Sequence, residues 1–156
     1  MQHTYDTKSR EVEVEPLCET GESMEILATV ALPDRGESVA AARRAVGAVV
    51  EAWGLGKVSE SAVLLTSELM GNAVKHGEGL STGCGKLSIV QLKVLRRRDR
   101  LRVEVHDGSE QVPTLRQVTD EDEDGRGWLL VGLLAEEYGV TLTVDGKAVW
   151  FELTAW

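Results

Sequence analysis

Apolar and polar positions recur along this chain with two periods, and the changes from one to the other mark its elements. From Val58 to His76 the period is helical. At about 100° per residue, Ala62, Leu65, Leu69 and Ala73 share one stripe. Glu68 and Asn72, four residues apart, lie side by side at the edge of that stripe. Ser59 is the candidate cap at the start, and Gly77 the expected left-handed cap at the end. A second helical pattern runs from Ser38 to Trp53, with Val39, Ala42, Val46, Val49 and Val50 inward and Arg43, Arg44 and Glu51 outward. Gly54 ends it. A third runs from Trp128 to Tyr138 and is closed by Gly139.

The strand signals fall around these helices. Met24 to Leu32 is apolar and β-leaning, and it stops at the turn cluster Pro33-Asp34-Arg35-Gly36. Leu87 to Leu95 and Leu101 to Val105 form a hairpin about Arg96-Arg97-Arg98-Asp99-Arg100, which reads as a solvated tip. In its second arm Leu101, Val103 and Val105 face one way and Arg102 and Glu104 the other. Val140 to Val144 and Ala148 to Leu153 make a last hairpin about Asp145-Gly146. The order strand, helix, helix, strand, strand, helix, strand, strand does not interleave one helix per strand. It predicts an α+β two-layer sandwich, a mainly antiparallel or mixed sheet covered on one face by three helices. Residues 21–156 form one domain. Residues 1–20 are polar, with one alternating patch at Glu11 to Glu15, and read as a tail or an edge strand.

Composition narrows the function classes. The chain has 156 residues, 42% of them hydrophobic, enough for a core that needs no disulfide or metal staple. Acidic residues outnumber basic ones 26 to 17, a formal net charge of −9, which argues against nucleic acid as the main partner. Cys18 and Cys84 lack metal-type spacing. That spacing leaves a disulfide open, and a cytoplasmic setting favours free thiols. No apolar run approaches the ~18 residues of a membrane span, and Met1 to Glu15 has no signal-peptide core. The expected compartment is the cytoplasm.

Candidate chemistry gathers at the ends of elements. Glu68 and Asn72 offer a carboxylate and an amide on one helix face. His106-Asp107-Gly108-Ser109 closes a strand. Gly125-Arg126-Gly127 opens a helix, where unpaired N–H groups and the dipole favour an anion. The glycine-rich stretch Gly77 to Gly85 is not a phosphate loop. Leu80 stands where the first glycine should be, Leu87 takes the Ser/Thr position, and a strand follows instead of a helix.

In this order the signals resemble the ATP-binding (Bergerat) domain of the histidine-kinase-like ATPases, the superfamily shared with gyrase. More narrowly they look like the serine-kinase anti-sigma factors and their small actinomycete relatives. The resemblance covers about Leu32 to Leu153. Glu68-Leu69-Met70-Gly71-Asn72-Ala73-Val74-Lys75-His76-Gly77 matches the N box E-L-x-x-N-A-x-x-H-[GA] at every fixed position. Val103 to Ser109 represents the first glycine box, Gly125 to Leu130 the second, and Gly146 to Phe151 the closing strand. The resemblance implies that Asn72 binds Mg²⁺ and that Glu68 is the base or orients the acceptor hydroxyl. It implies that Asp107 accepts from the adenine amine, with Gly108 admitting the ring. Gly125, Arg126 and Gly127 would cradle phosphates, and Ser109 to Asp124 would be the ATP lid.

The implied function is an ATP-binding, anti-sigma-factor-like protein serine/threonine kinase. It would sequester a sigma factor and phosphorylate an anti-anti-sigma antagonist. The alternative is a nucleotide-responsive binding module of the same fold without kinase turnover. Homodimerisation comes from the family alone; no nucleic-acid or membrane partner is implied. The chain departs from the pattern at four places. Ser109 and Glu110 follow Asp107-Gly108 where many members continue with glycines, and Trp128 replaces an aliphatic residue. Ala148 has no hydroxyl where some relatives place a threonine. The acidic run Asp120 to Asp124 sits in the lid, where ATP's charge would repel it, screened over roughly 8 Å.

Overall fold

The computed structural model describes residues 14–15, 23–81, 88–111 and 126–156, with backbone alone at 14, 15, 81 and 126–128. Cys18, Cys84, Gly125 and the acidic run of 120–124 lie outside the described residues.

The strands are β1 (Val14–Glu15), β2 (Glu25–Pro33), β3 (Leu80–Ser81), β4 (Ser88–Arg97), β5 (Arg100–Asp107), β6 (Glu137–Thr143) and β7 (Gly146–Thr154). The helices are α1 (Glu37–Ala52), α2 (Ser59–His76) and α3 (Arg126–Leu134). All strands join one sheet in the order β1-β6-β7-β5-β4-β2, with β3 against β4. The five long strands pair antiparallel with one another. β5 and β6 both run antiparallel to β7 and so parallel to each other, as a crossover through α3 allows. At the far edge Val14 and Glu15 pair parallel with Val140 and Thr141, so this part of the N-terminal segment is an edge strand. The α+β sandwich expected from the pattern is the architecture present.

The core lies between the helices and one sheet face. Val46 and Val50 of α1, Leu65, Leu69 and Met70 of α2, and Leu92, Val103, Val105 and Phe151 of the sheet are all buried there. Thr66 and Ser67 stay within α2 by donating their hydroxyls to the carbonyls of Ala62 and Val63. Among the described residues no helix is long and apolar enough to cross a membrane.

Four expectations need correction. Ser59 is the first helical residue of α2, Val58 occupies the cap position, and neither provides a side-chain cap bond. α3 stops at Leu134, because Glu137 to Gly139 pair with Trp150 to Glu152 as part of β6; sheet pairing overrides the helical period there. The last hairpin turns on Val144-Asp145, with Gly146 already paired to Thr143. The arginine-rich tip is not simply solvated. Arg97 Nη1 and Arg100 Nη1 donate to Glu152 at 2.9 and 3.2 Å, and Arg96 lies 4.2 Å over the Trp156 ring.

Arg97 and Arg100 belong to a charged network on the sheet face away from the helices. Arg102 donates to Glu152 Oε1 at 3.1 Å and to Glu104 Oε1 at 2.8 Å, while its guanidinium stacks 3.8 Å from the Trp150 ring. His106 Nε2 stands 2.7 Å from Glu104 Oε2. Burial acts to raise the pKa of Glu104, but the His106 hydrogen bond and the Arg102 charge outweigh it and hold it below the ordinary 4.5. A carboxyl with a depressed folded pKa contributes stability that is complete above its unfolded value and is lost as pH falls through the folded one. In wild type that loss should therefore begin only below about pH 4.5. In His106→Gln burial should gain ground and Glu104 should be less depressed, so the urea midpoint should fall less as pH is lowered below about 4.5. Superimposable midpoint-against-pH curves would count against this balance.

Candidate functional site

α2 presents Glu68 and Asn72 from one face, a turn apart, because each stands one position from a core residue, Leu69 and Ala73. Both side chains are half-buried, and among the described residues neither has a hydrogen-bond or ion-pair partner. An amide and a carboxylate held on a packed helix with their polar atoms unspent are free to engage something else.

The end of α2 runs into the end of β5. Gly77 donates to the Ala73 carbonyl at 3.0 Å, the last helical bond, and then continues in extended backbone (φ −79°, ψ 169°). The expected left-handed cap is therefore absent, and Gly77 is required for a different reason. A Cβ there would lie 2.5 Å from the Ala73 carbonyl oxygen and 2.9 Å from Asp107 Oδ2. One residue on, the Glu78 carbonyl accepts from the Gly108 N–H. A Cβ on Gly108 would come 2.8 Å from the Gly79 oxygen. Backbone thus packs on backbone around the Asp107 carboxyl.

Asp107 ends the stripe of Leu101, Val103 and Val105 and is 1% exposed. A buried carboxylate needs partners. Its Oδ1 accepts from Lys147 Nζ at 2.9 Å and from the Ser109 N–H at 2.8 Å. Lys147 Nζ also donates to the Ser109 carbonyl at 3.3 Å, and the Gln111 N–H donates to Ser109 Oγ at 3.2 Å. Lys147 is the cross-strand partner of Asp107 in the β5–β7 register. It was missed in the sequence because it follows a turn, where lysines are normally solvated. Its parity was the available signal, since it stands in step with Val149, Phe151 and Leu153 on the buried face.

The structure brings Asp107 and Gly108 against the C-terminal end of the helix that carries Glu68 and Asn72. Arg126 and Gly127 form the first turn of α3, which packs against α2 and β6. Gly125 lies outside the described residues, and the side chain of Arg126 is not among those described. No group of three or more His, Cys, Asp or Glu among the described residues is arranged to hold a metal by itself. Any cation at Asn72 would thus depend on oxygen atoms from a ligand or solvent, as Mg²⁺ commonly does.

A model of the family described as the histidine kinase-like ATPase domain matches residues 32–153. No curated protein matches the chain.

Proposed function

For a chain that belongs to the histidine kinase-like ATPase domain family, we propose an adenine-nucleotide site bounded by α2, the end of β5 and the start of α3. The observation that carries it is the buried Asp107 carboxylate. It is approached through glycine backbone on the helix that bears the unpartnered Asn72 and Glu68. These residues fit an adenine nucleotide with Mg²⁺. Asp107 accepts from an exocyclic amine, Asn72 offers an amide oxygen to a hard cation, and the start of α3 offers backbone N–H groups to phosphate. Bound Mg²⁺ would supply neutralisation of phosphate charge.

Within that site we read Glu68 as the group that orients a partner's serine or threonine hydroxyl and accepts its proton. The protein is then a serine/threonine kinase of the anti-sigma-factor type. It phosphorylates an anti-anti-sigma antagonist and holds a sigma factor in the alternative complex. The acidic surface suits a protein partner with basic contacts better than a nucleic acid. Asp107 already shares Oδ1 with Lys147, and this favours, as the second reading, a binding module in which nucleotide is held without turnover. Ala148, in step with Trp150 and Glu152 on the opposite sheet face, does not bear on it.

Calorimetric titration with Mg-ATP tests the site and phosphate labelling tests the turnover. Asn72→Ala should weaken Mg-ATP binding by about 10-fold or more, the equivalent of one charge-assisted contact. Glu68→Ala should bind nearly as wild type yet label the antagonist roughly 10²–10⁴-fold more slowly. Heat without labelling selects the binding module. No heat with wild-type protein removes the nucleotide from both readings.

A further inference from the structure

Lys147 is an expensive residue where it stands. Its side chain is 6% exposed and that of its partner Asp107 is 2% exposed. A buried ion pair of this kind is often matched or bettered in stability by apolar residues, so stability alone does not account for it. Its hydrogen-bonding capacity suggests a different use. An ammonium has three donors. Two of them go to Asp107 Oδ1 and the Ser109 carbonyl. Oδ1 is also taken by the Ser109 N–H, which leaves Oδ2 as the accepting oxygen, and Oδ2 is the atom beside Gly77 where no side chain intrudes. The pair thus retains one donor and one acceptor, carried on adjacent groups.

We infer that Lys147 is the second half of a base-reading pair. Asp107 Oδ2 accepts from the N6 amine of a 6-aminopurine, and the remaining Lys147 proton is donated to N1 beside it. The inference rests on the adenine-nucleotide reading above and adds to it a specificity-determining residue. The amidine edge of adenine presents one donor and one acceptor side by side, which is the complement of what the pair leaves free. A lone carboxylate would read only the amine.

The full chain titrated calorimetrically with Mg-ATP and with Mg-1-deaza-ATP, which carries C–H in place of N1, tests this. Wild type should bind the deaza nucleotide about 10-fold or more weakly, the value of a hydrogen bond from a charged donor. Lys147→Met should bind both nucleotides with affinities within about twofold of each other, because the donor that told them apart is gone. Equal affinities in wild type overturn the assignment without any variant having to fold. Undiminished discrimination in Lys147→Met overturns it as well. Should that variant not fold, Lys147→Gln replaces a charged donor by a neutral one and should shrink the ratio; an unchanged ratio refutes the role. Wild type that binds neither nucleotide is a separate result, and it removes the adenine site itself.

Discussion

Glu152→Ala should be the most destabilising single truncation on the sheet face away from the helices, by about 3–5 kcal/mol. Glu152 is fully buried and accepts from Arg97, Arg100 and Arg102 together. The three arginines are balanced by three carboxylates, those of Glu152, Glu104 and Glu137. Removing the central carboxylate leaves positive charge without its counter-charge in a site closed to water. The partners do not contribute equally. The Arg97 and Arg100 side chains are 24% and 30% exposed and can turn to solvent, so their share is that of surface bridges. Arg102 cannot, being 2% exposed and stacked on Trp150.

The expected melting temperature drop is about 6–20 °C, taking roughly 2–4 °C per kcal/mol for a chain of this size. Differential scanning calorimetry measures it directly. Glu152→Gln should cost less, because the amide oxygen still accepts. The double variant Glu152→Ala with Arg102→Met should recover much of the loss, because it removes the stranded charge together with its partner. If the double variant is as unstable as the sum of the two single ones, the penalty lies in lost packing and not in the excess charge left beside Arg102.

The same network shows what one sequence does and does not reveal. Alternation in Leu101 to Val105 already placed Arg102 and Glu104 on one face. It could not say that Glu152 lies across from Arg102, because cross-strand register comes from tertiary pairing and not from local period. The arginine-rich tip consequently read as solvated. The α2 stripe of Ala62, Leu65, Leu69 and Ala73 was legible because helix period and core stripe coincide there, while the burial of Thr66 and Met70 beside it widens the inner face beyond that stripe. α3 was legible at its start and not at its end, where β6 pairing with β7 claims Glu137 to Gly139. Within the site, Glu68, Asn72 and Asp107 could be picked out by residue type and order. Lys147 could not, since a lysine next to a turn is ordinary unless the buried parity of its strand is already known. Gly77 and Gly146 were marked as special, but for turn geometry instead of close approach.

Gly146→Ala should therefore damage the site through the backbone. Its Cβ would fall onto the Asp107 carbonyl oxygen, and 2.7 Å from the Cα of Gly108. Neither is a flexible side-chain end that can step aside. β5 and β7 would have to part at the pair Asp107–Lys147, the residues whose separation sets the Nζ to Oδ1 bond. Overpacking of this kind costs about 1–3 kcal/mol, and contact with backbone puts this case at the upper end. Gly36→Ala is the matched control. No atom stands within 4 Å of its added methyl, and its φ of −55° is one that alanine adopts freely. It should be neutral or stabilise by about 0.4–1 kcal/mol through the unfolded chain. Urea midpoints of the two variants separate the effects, and Mg-ATP titration at a temperature where both remain folded reads the site. The expected outcome is loss of affinity in Gly146→Ala alone, because only there does the methyl displace the carboxylate proposed to hold the base. Equal midpoints and equal affinities would mean that the strand ends have slack, and the close packing around Asp107 would no longer explain why glycine stands at position 146.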